Sequence, residues 1–390
     1  MITVDAALAH LMALISPLTS EHVPLIEAAG RVLSQDVTAK RDQPPFAASA
    51  MDGYAMRADE VEQHSILKII GESAAGHGFD GHIKPGQAVR IFTGAPVPQG
   101  ADFVVIQEDI TRNGDLITIA NIPSDNSNIR ALGNDFTKGD AIAAPRLLTP
   151  NEVALLASMN IASVPVTRRP EVALISTGDE LVMPGESPGP DQIIASNTFG
   201  LKAMLDALGA HARILPIARD TESSLRMAFD LAKGADLVIT IGGASVGDHD
   251  LVGKVAGDLG MQRSFYKVAM RPGKPLMAGR LNNAAMVGLP GNPVSAMVCG
   301  HIFIAPMIRA MLGLSTQAPT PFTAPLSAPL TANGPRQHYM RAQLDQGRIH
   351  AFDRQDSALL TILAQANALL IRPPHDPPRA IGEQIAYLPI

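Results

Sequence analysis

The run Ala235-Asp236-Leu237-Val238-Ile239-Thr240-Ile241-Gly242-Gly243-Ala244-Ser245-Val246-Gly247-Asp248-His249-Asp250 constrains the fold more than any other part of this chain. Its first half is apolar at consecutive rather than alternate positions, the pattern of a parallel strand buried on both faces. Its second half changes abruptly to glycine, small hydroxyls and two carboxylates. Glycines just past a strand let the backbone turn tightly and bring its N–H groups near a ligand. In open α/β sheets that end of the strand is where ligands bind. Backbone donors suit phosphate, and carboxylates beside phosphate suit a bridging Mg²⁺. Gly242, Gly243, Ser245 and Gly247 therefore read as ligand-cradling positions, with Asp248 and Asp250 as candidate metal ligands.

Two more strands end in the same way. Val172-Ala173-Leu174-Ile175-Ser176 runs into Thr177-Gly178-Asp179-Glu180, and Ala285-Met286-Val287-Gly288-Leu289 runs into Pro290-Gly291-Asn292-Pro293-Val294-Ser295. Helical spacings lie between them. Asn197 is placed to cap a helix carrying Leu201, Met204, Leu205 and Leu208, with Gly209 as its stop. A strand is expected over residues 213–217. Leu225, Ala228, Phe229 and Ala232 then repeat at helical spacing before Gly234. Alternating strands and helices predict a parallel sheet with crossover helices, hence a three-layer α/β/α domain over residues 170–315.

The remaining segments differ in character. Asp5 is placed to cap a helix with Leu8, Leu11, Met12 and Ile15 on one face, followed by a short segment over 27–33. Thr149-Pro150-Asn151-Glu152 is a helix start with a Thr cap, Pro at the first position and Glu three residues past the cap. Val153, Leu156 and Met159 continue it. Residues 1–41 with 141–169 are thus expected to form an N-terminal helical, linking domain. Between them, over 42–140, short apolar runs alternate with Gly, Pro and Asp turns, which predicts an inserted β domain. Pro319, Pro321, Pro325 and Pro329 space out a linker, and the tail reads as a C-terminal β barrel or sandwich over 318–390.

Composition excludes several classes of function. A chain of 390 residues, 46% hydrophobic and 17% charged, is ordered and long enough for about two to four domains. A net charge of −6, no basic block and no Trp argue against a nucleic-acid partner. Cys299 is the only cysteine, so neither an internal disulfide nor a thiolate metal site is available. It lies in an apolar helical stretch and reads as a buried, inert thiol. The N-terminus lacks a basic start and cleavage site. The most apolar stretch, 294–308, is interrupted by His301 and Pro306 and reads as too short to span a bilayer. A soluble cytoplasmic protein without a membrane partner is expected.

Six motifs in order give the chain a family likeness. They are Ser49-Ala50-Met51-Asp52-Gly53-Tyr54-Ala55, Ile91-Phe92-Thr93-Gly94-Ala95-Pro96-Val97-Pro98, Ser176-Thr177-Gly178-Asp179-Glu180-Leu181, the Gly242-Gly243 loop, Arg271-Pro272-Gly273-Lys274-Pro275, and Leu289-Pro290-Gly291-Asn292-Pro293-Val294-Ser295. Together they resemble the MoeA family, the molybdopterin molybdenumtransferases related to the E domains of gephyrin and its plant counterpart. Ala244 departs from the usual Val and Arg271 from the common Lys; Arg and Lys differ in hydrogen-bond geometry.

The resemblance implies an elongated four-part subunit whose α/β domain is similar to MogA and MoaB. It also implies a homodimer, with each site between the α/β domain of one chain and the β domain of the other. The implied reaction inserts molybdate into adenylylated molybdopterin, with Mg²⁺-dependent release of AMP. A soft metal needs thiolates; here the substrate would bring its own sulfurs.

On that reading Glu180, Asp220, Asp248 and Asp250 are the Mg²⁺ candidates, with Asp179 as an alternative to Glu180. Asp220 and Asp250 read equally as helix caps. Asp52 and Thr93 form the opposing wall of the dimer site, with Asp135 a further candidate there, although Asp52-Gly53 alone is a common turn dipeptide. Thr177, Gly178, Pro290 and Asn292 join the glycine loop around the pterin nucleotide. Molybdate, a tetrahedral dianion, needs clustered cations and donors. Arg271 and Lys274 flank a Pro-Gly turn, and Ser295 stands at a helix start, where free N–H groups favour anions. Arg341 and Ser357 are placed to complete the pocket, Arg341 reading otherwise as a solvated strand residue; Lys267 is placed to reach a phosphate. Two rivals remain: a molybdopterin adenylyltransferase, and a non-catalytic dimeric scaffold of the gephyrin kind. Transient contacts with other enzymes of molybdenum-cofactor synthesis are also expected.

Overall fold

A computed structural model describes residues 1–121, 126–243, 251–315, 317 and 319–390. Ser245, Gly247, Asp248 and Asp250, with the cap expected of Asp250, lie outside the described residues.

The centre of the molecule is a six-stranded sheet in the order His211–Ile214, Glu171–Ser176, Leu237–Ile241, Ala284–Leu289, Met277–Leu281, Gln262–Tyr266. The first four strands are mutually parallel; Met277–Leu281 pairs antiparallel with the fourth, and Gln262–Tyr266 pairs antiparallel with Met277–Leu281 at the edge. Every residue of Leu237–Ile241 and of Ala284–Leu289 is buried, as their unbroken apolar runs predict. Alternate side chains serve two cores. Val172, Leu174, Leu237 and Ile239 pack with the Asn197–Ala207 helix on one face. Ala173, Ile175 and Val238 pack with the Glu222–Leu231 and Leu251–Asp258 helices on the other. This is the three-layer arrangement expected for a parallel sheet.

Helix ends differ from expectation where two cap-forming residues are neighbours. Thr3, not Asp5, caps Val4–Met12, and its side chain accepts from the Ala6 N–H; Ile15 falls beyond the helix. Ser196 precedes Asn197–Ala207, so Asn197 is the first helical residue rather than the cap. Thr221, not Asp220, caps Glu222–Leu231 by accepting from the Ser224 N–H. Gly209, at φ +92°, follows the end of its helix as expected. The capping box at Thr149 is complete, with Thr149 N–H donating to Glu152 Oε2 at 2.6 Å. The strand expected over 213–217 runs instead over His211–Ile214.

The flanking segments of the insertion close on each other as a four-stranded sheet of Ser20–Pro24, Ser163–Thr167, Val32–Leu33 and Arg146–Leu147. That part is more strand-rich than the helical reading. The insertion itself carries a six-stranded sheet with its own core around Tyr54, Met56, Leu67, Val105 and Ile117. At the other end of the chain, Phe322–Pro325 is a strand rather than linker, lying at the end of the sheet path, where proline is tolerated. A bridge from Leu326 to Ile349 closes these strands into a barrel around Ala342, Leu370 and Ile385. The Met270–Arg271 strand joins the barrel sheet, with Arg271 opposite His338.

The apolar stretch read as too short for a membrane is longer in the structure. Pro293–Met311 is a continuous helical run of 19 residues, long and apolar enough by composition to cross a bilayer. It is 78% buried against the central sheet, which makes it a core helix. Cys299 lies within it, fully buried, and burial pushes its thiol pKa up, as an inert thiol requires.

Candidate active site

A cavity of about 480 Å³ opens at the carboxyl ends of Glu171–Ser176, Leu237–Ile241 and Ala284–Leu289. Of the residues singled out by sequence, Thr177, Gly178, Glu180, Asp220, Gly242, Gly243, Pro290 and Asn292 line it. The three turns touch one another. Gly242 (φ +94°) and Gly243 (φ +62°) adopt left-handed backbone, and a Cβ on Gly242 would lie 2.7 Å from the Thr177 carbonyl oxygen. Among the described residues the buried Thr177 hydroxyl has no hydrogen-bond partner. Asn197 Nδ2 donates to the Gly291 carbonyl at 2.8 Å and fixes the third turn.

The carboxylates divide their roles. Asp179 Oδ1 accepts from the Asp220 N–H at 3.2 Å, so it braces the neighbouring turn while Glu180 lines the cavity. A Cβ on Gly178 (φ +147°) would come within 2.3 Å of Glu180 Oε2, so the glycine makes room for that carboxylate. Among the described residues neither Glu180 nor Asp220 has a hydrogen-bonded carboxylate, nor do three or more His, Cys, Asp and Glu side chains gather around one point.

A second polar cluster forms where the barrel meets the α/β layer. Arg341 is completely buried, which corrects its reading as a solvated strand residue. Its Nη2 donates to the Asp356 carbonyl at 3.0 Å, while Nε and Nη1 have no partner among the described residues. Burial, with the Arg271 charge nearby, lowers its pKa to about 10 against the pull of Asp356. The adjacent Ser357 accepts from Asn292 Nδ2 at 3.1 Å, and its carbonyl accepts from the Val294 N–H at 3.0 Å. Arg341 and Ser357 are thereby tied to the first turn of Pro293–Cys299, where Ser295 is buried. Lys274 is exposed beside the lining residue Pro275. Lys267 stands just past the Gln262–Tyr266 strand with left-handed backbone, its Nζ 5.2 Å from the Tyr266 ring centroid, and does not line the cavity.

Asp52 and Thr93 meet as expected, but apart from this cavity. Asp52 Oδ1 accepts from the Thr93 N–H at 2.7 Å and from its hydroxyl at 2.8 Å. These bonds, the backbone one foremost, hold the carboxyl below its ordinary pKa. Asp135 is exposed and does not join the pair. Among the described residues none of 42–140 lines the cavity within one subunit.

Sequence reading missed one wall. Ile193, Ile194, Ala195 and Ser196 line the cavity beside Asn197. They are positioned by hydrogen bonds from the Ile193 N–H to the Glu180 carbonyl and from the Ala195 N–H to the Val182 carbonyl, both 2.8 Å. The available signal was the adjacent isoleucines after a Gly- and Pro-rich stretch, both exposed.

Glycine turns, an unpartnered hydroxyl and carboxylates gathered at the carboxyl ends of parallel strands are features of the place where open α/β proteins bind ligands. Comparison with known proteins makes this specific. Residues 2–160 match the MoeA N-terminal region (domain I and II), 173–310 a probable molybdopterin binding domain, and 323–390 the MoeA C-terminal region (domain IV). A molybdopterin molybdenumtransferase of Haemophilus influenzae is 41% identical over 317 residues, 80% of this chain and 78% of that protein. Molybdopterin molybdenumtransferase 2 of Mycobacterium tuberculosis is 36% identical over 393 residues, 97% and 96% of the two chains. The crystal structure of a molybdopterin biosynthesis MoeA protein from Pyrococcus horikoshii superposes with a TM-score of 0.86 at 26% identity, covering 100% of both chains. The chain belongs to the MoeA family.

Proposed function

We infer that this chain transfers molybdenum from molybdate to adenylylated molybdopterin and releases AMP. The observation that carries the reading is the strand-end cavity, in which the buried Thr177 hydroxyl and the carboxylates of Glu180 and Asp220, without partners among the described residues, face one space. The likeness to molybdenumtransferases extends through the N-terminal and C-terminal regions, which favours metal insertion over adenylyl transfer or a scaffold role. The same reading divides the subunit at 1–41 with 141–169, 42–140, 170–315 and 318–390.

Glu180 and Asp220, with Asp248 and Asp250, are the proposed holders of Mg²⁺. The donor set suits it: Mg²⁺ keeps several waters and takes one or two carboxylates along with substrate phosphates. When bound, it neutralises charge on the phosphoanhydride oxygens. The Thr177, Gly242-Gly243 and Pro290–Asn292 turns cradle the pterin nucleotide, joined by Ser245 and Gly247. Arg341, with two unpartnered nitrogens, joins Arg271, Lys274, Ser295 and Ser357 in holding the molybdate dianion. Lys267 serves a substrate phosphate.

Asp52 and Thr93, with Asp135 on the same wall, act on the cavity of a second copy, so the working unit is a cytoplasmic homodimer. Their separation from the cavity in their own subunit supports this. Other enzymes of cofactor synthesis supply the substrate and accept the product through transient contacts. The test is AMP release from adenylylated molybdopterin by the purified protein. Release is expected only with both Mg²⁺ and molybdate. Adenylylation of free molybdopterin from ATP, without such release, would overturn the reading.

A further inference from the structure

The acidic turn after Glu171–Ser176 is gripped by a side chain that does not line the cavity. Arg219 Nη1 donates to the carbonyls of Asp179 and Leu181, each at 3.0 Å, and lies 3.4 Å from that of Gly178. The two carbonyls it leaves are taken by the cavity wall: Glu180 by the Ile193 N–H and Val182 by the Ala195 N–H. Four of the five consecutive carbonyls, 178 to 182, are therefore satisfied within the protein, and that of Gly178 lies at the edge of hydrogen-bond range from the same nitrogen. Carbonyls in an exposed turn are ordinarily left to water, which leaves the turn free to move. Here one guanidinium replaces that water. The residue next to it, Asp220, completes the grip by donating its N–H to Asp179 Oδ1.

The grip has a direction. With the backbone fixed on both sides of Glu180, its carboxylate lies over Gly178 and faces the cavity that Asp220 also lines. A planar guanidinium can address carbonyls on both sides of a turn, whereas an ammonium is a compact point of charge on a flexible stem.

We propose that Arg219 is a positioning residue, which locks the 178–182 turn so that Glu180 and Asp220 are presented together to one divalent cation. This rests on the assignment of those two carboxylates as cation ligands. Replacing Arg219 tests it, with Glu180→Gln as the control for the cation assignment. Full-length Arg219→Met and Arg219→Lys proteins are compared with wild type and with Glu180→Gln, using hydrogen exchange at the Ile193 and Ala195 amides and Mn²⁺ affinity by electron paramagnetic resonance without substrate. Arg219→Met is expected to speed exchange at both amides and weaken Mn²⁺ binding about tenfold, as loss of a supporting contact around a metal site does. Arg219→Lys is expected to fall between, with the thermal midpoint of both variants unchanged. Wild-type exchange in Arg219→Met overturns the proposal. Faster exchange with unchanged Mn²⁺ affinity, while Glu180→Gln weakens binding, overturns it too. Mn²⁺ binding indifferent to Glu180→Gln overturns the cation assignment along with the proposal, and the Glu180→Gln arm separates that failure from failure of the grip alone.

Discussion

Asp52 and Glu180 both sit in glycine-containing turns, yet their surroundings are opposite. One oxygen of Asp52 takes two hydrogen bonds from Thr93, and Asp52 does not line the strand-end cavity of its own subunit. Glu180 and its neighbour Asp220 accept no hydrogen bond at their carboxylates among the described residues and face a cavity of about 480 Å³. An ionised carboxylate offers about four acceptor sites. Asp52 has spent part of that capacity on holding its own turn and is kept ionised by it. Glu180 and Asp220 keep theirs for whatever enters.

Substitutions at the two turns should therefore differ in size. Glu180→Gln is expected to lower AMP release on the order of 10²-fold, the scale of losing a group that stabilises developing charge. Asp52→Asn keeps an oxygen to accept from Thr93 and is expected to cost about tenfold. Equal losses in the same assay would erase the contrast. Thr93→Val sharpens it further. The backbone N–H of Thr93 and then its hydroxyl lower the Asp52 pKa, so removing the hydroxyl raises it. A carboxylate needed in its ionised form then fails at higher pH, and the acid limb of the pH–rate profile moves upward. An unmoved limb would show that ionised Asp52 plays no part in the rate.

A third carboxylate gives a structural reference. Asp236 accepts two bonds from Arg168 at 2.7 Å each and one from the Glu171 N–H at 2.9 Å. Burial alone would raise its pKa, but these partners outweigh burial and lower it. A depressed pKa stabilises the fold above the unfolded value, and that gain is lost as pH falls through the folded one. Asp236→Asn is expected to lower unfolding free energy by about 2 kcal/mol at neutral pH, and by less in acid, with the rate of AMP release unchanged. Denaturant titration at two pH values checks both parts.

The α/β layer was legible because consecutive apolar residues leave a strand no exposed face, and glycine marks where such strands end. The box at Thr149 was legible because its three residues act locally. Caps at Thr3, Ser196 and Thr221 were not, since each adjoins or lies near an Asp or Asn able to do the same task. The two-residue pairing of Val32–Leu33 with Arg146–Leu147 has no local period to read. Arg341 misled for a related reason: strand alternation does not reveal that a second part of the molecule covers its outer face. The Ile193–Asn197 wall went unread because its role comes from backbone pairing with Leu181–Val182.

On the proposed reading the Asp52–Thr93 pair and the Glu180 turn belong to one site shared by two copies. Co-expressing differently tagged Asp52→Asn and Glu180→Gln chains, and assaying AMP release by the mixed dimers, tests it most directly. Random pairing makes half the dimers mixed, each with one intact site of two, so about half of wild-type activity is expected of mixed dimers isolated through both tags and about a quarter of the unfractionated population. Activity no higher than that of the two variants alone would contradict the shared site.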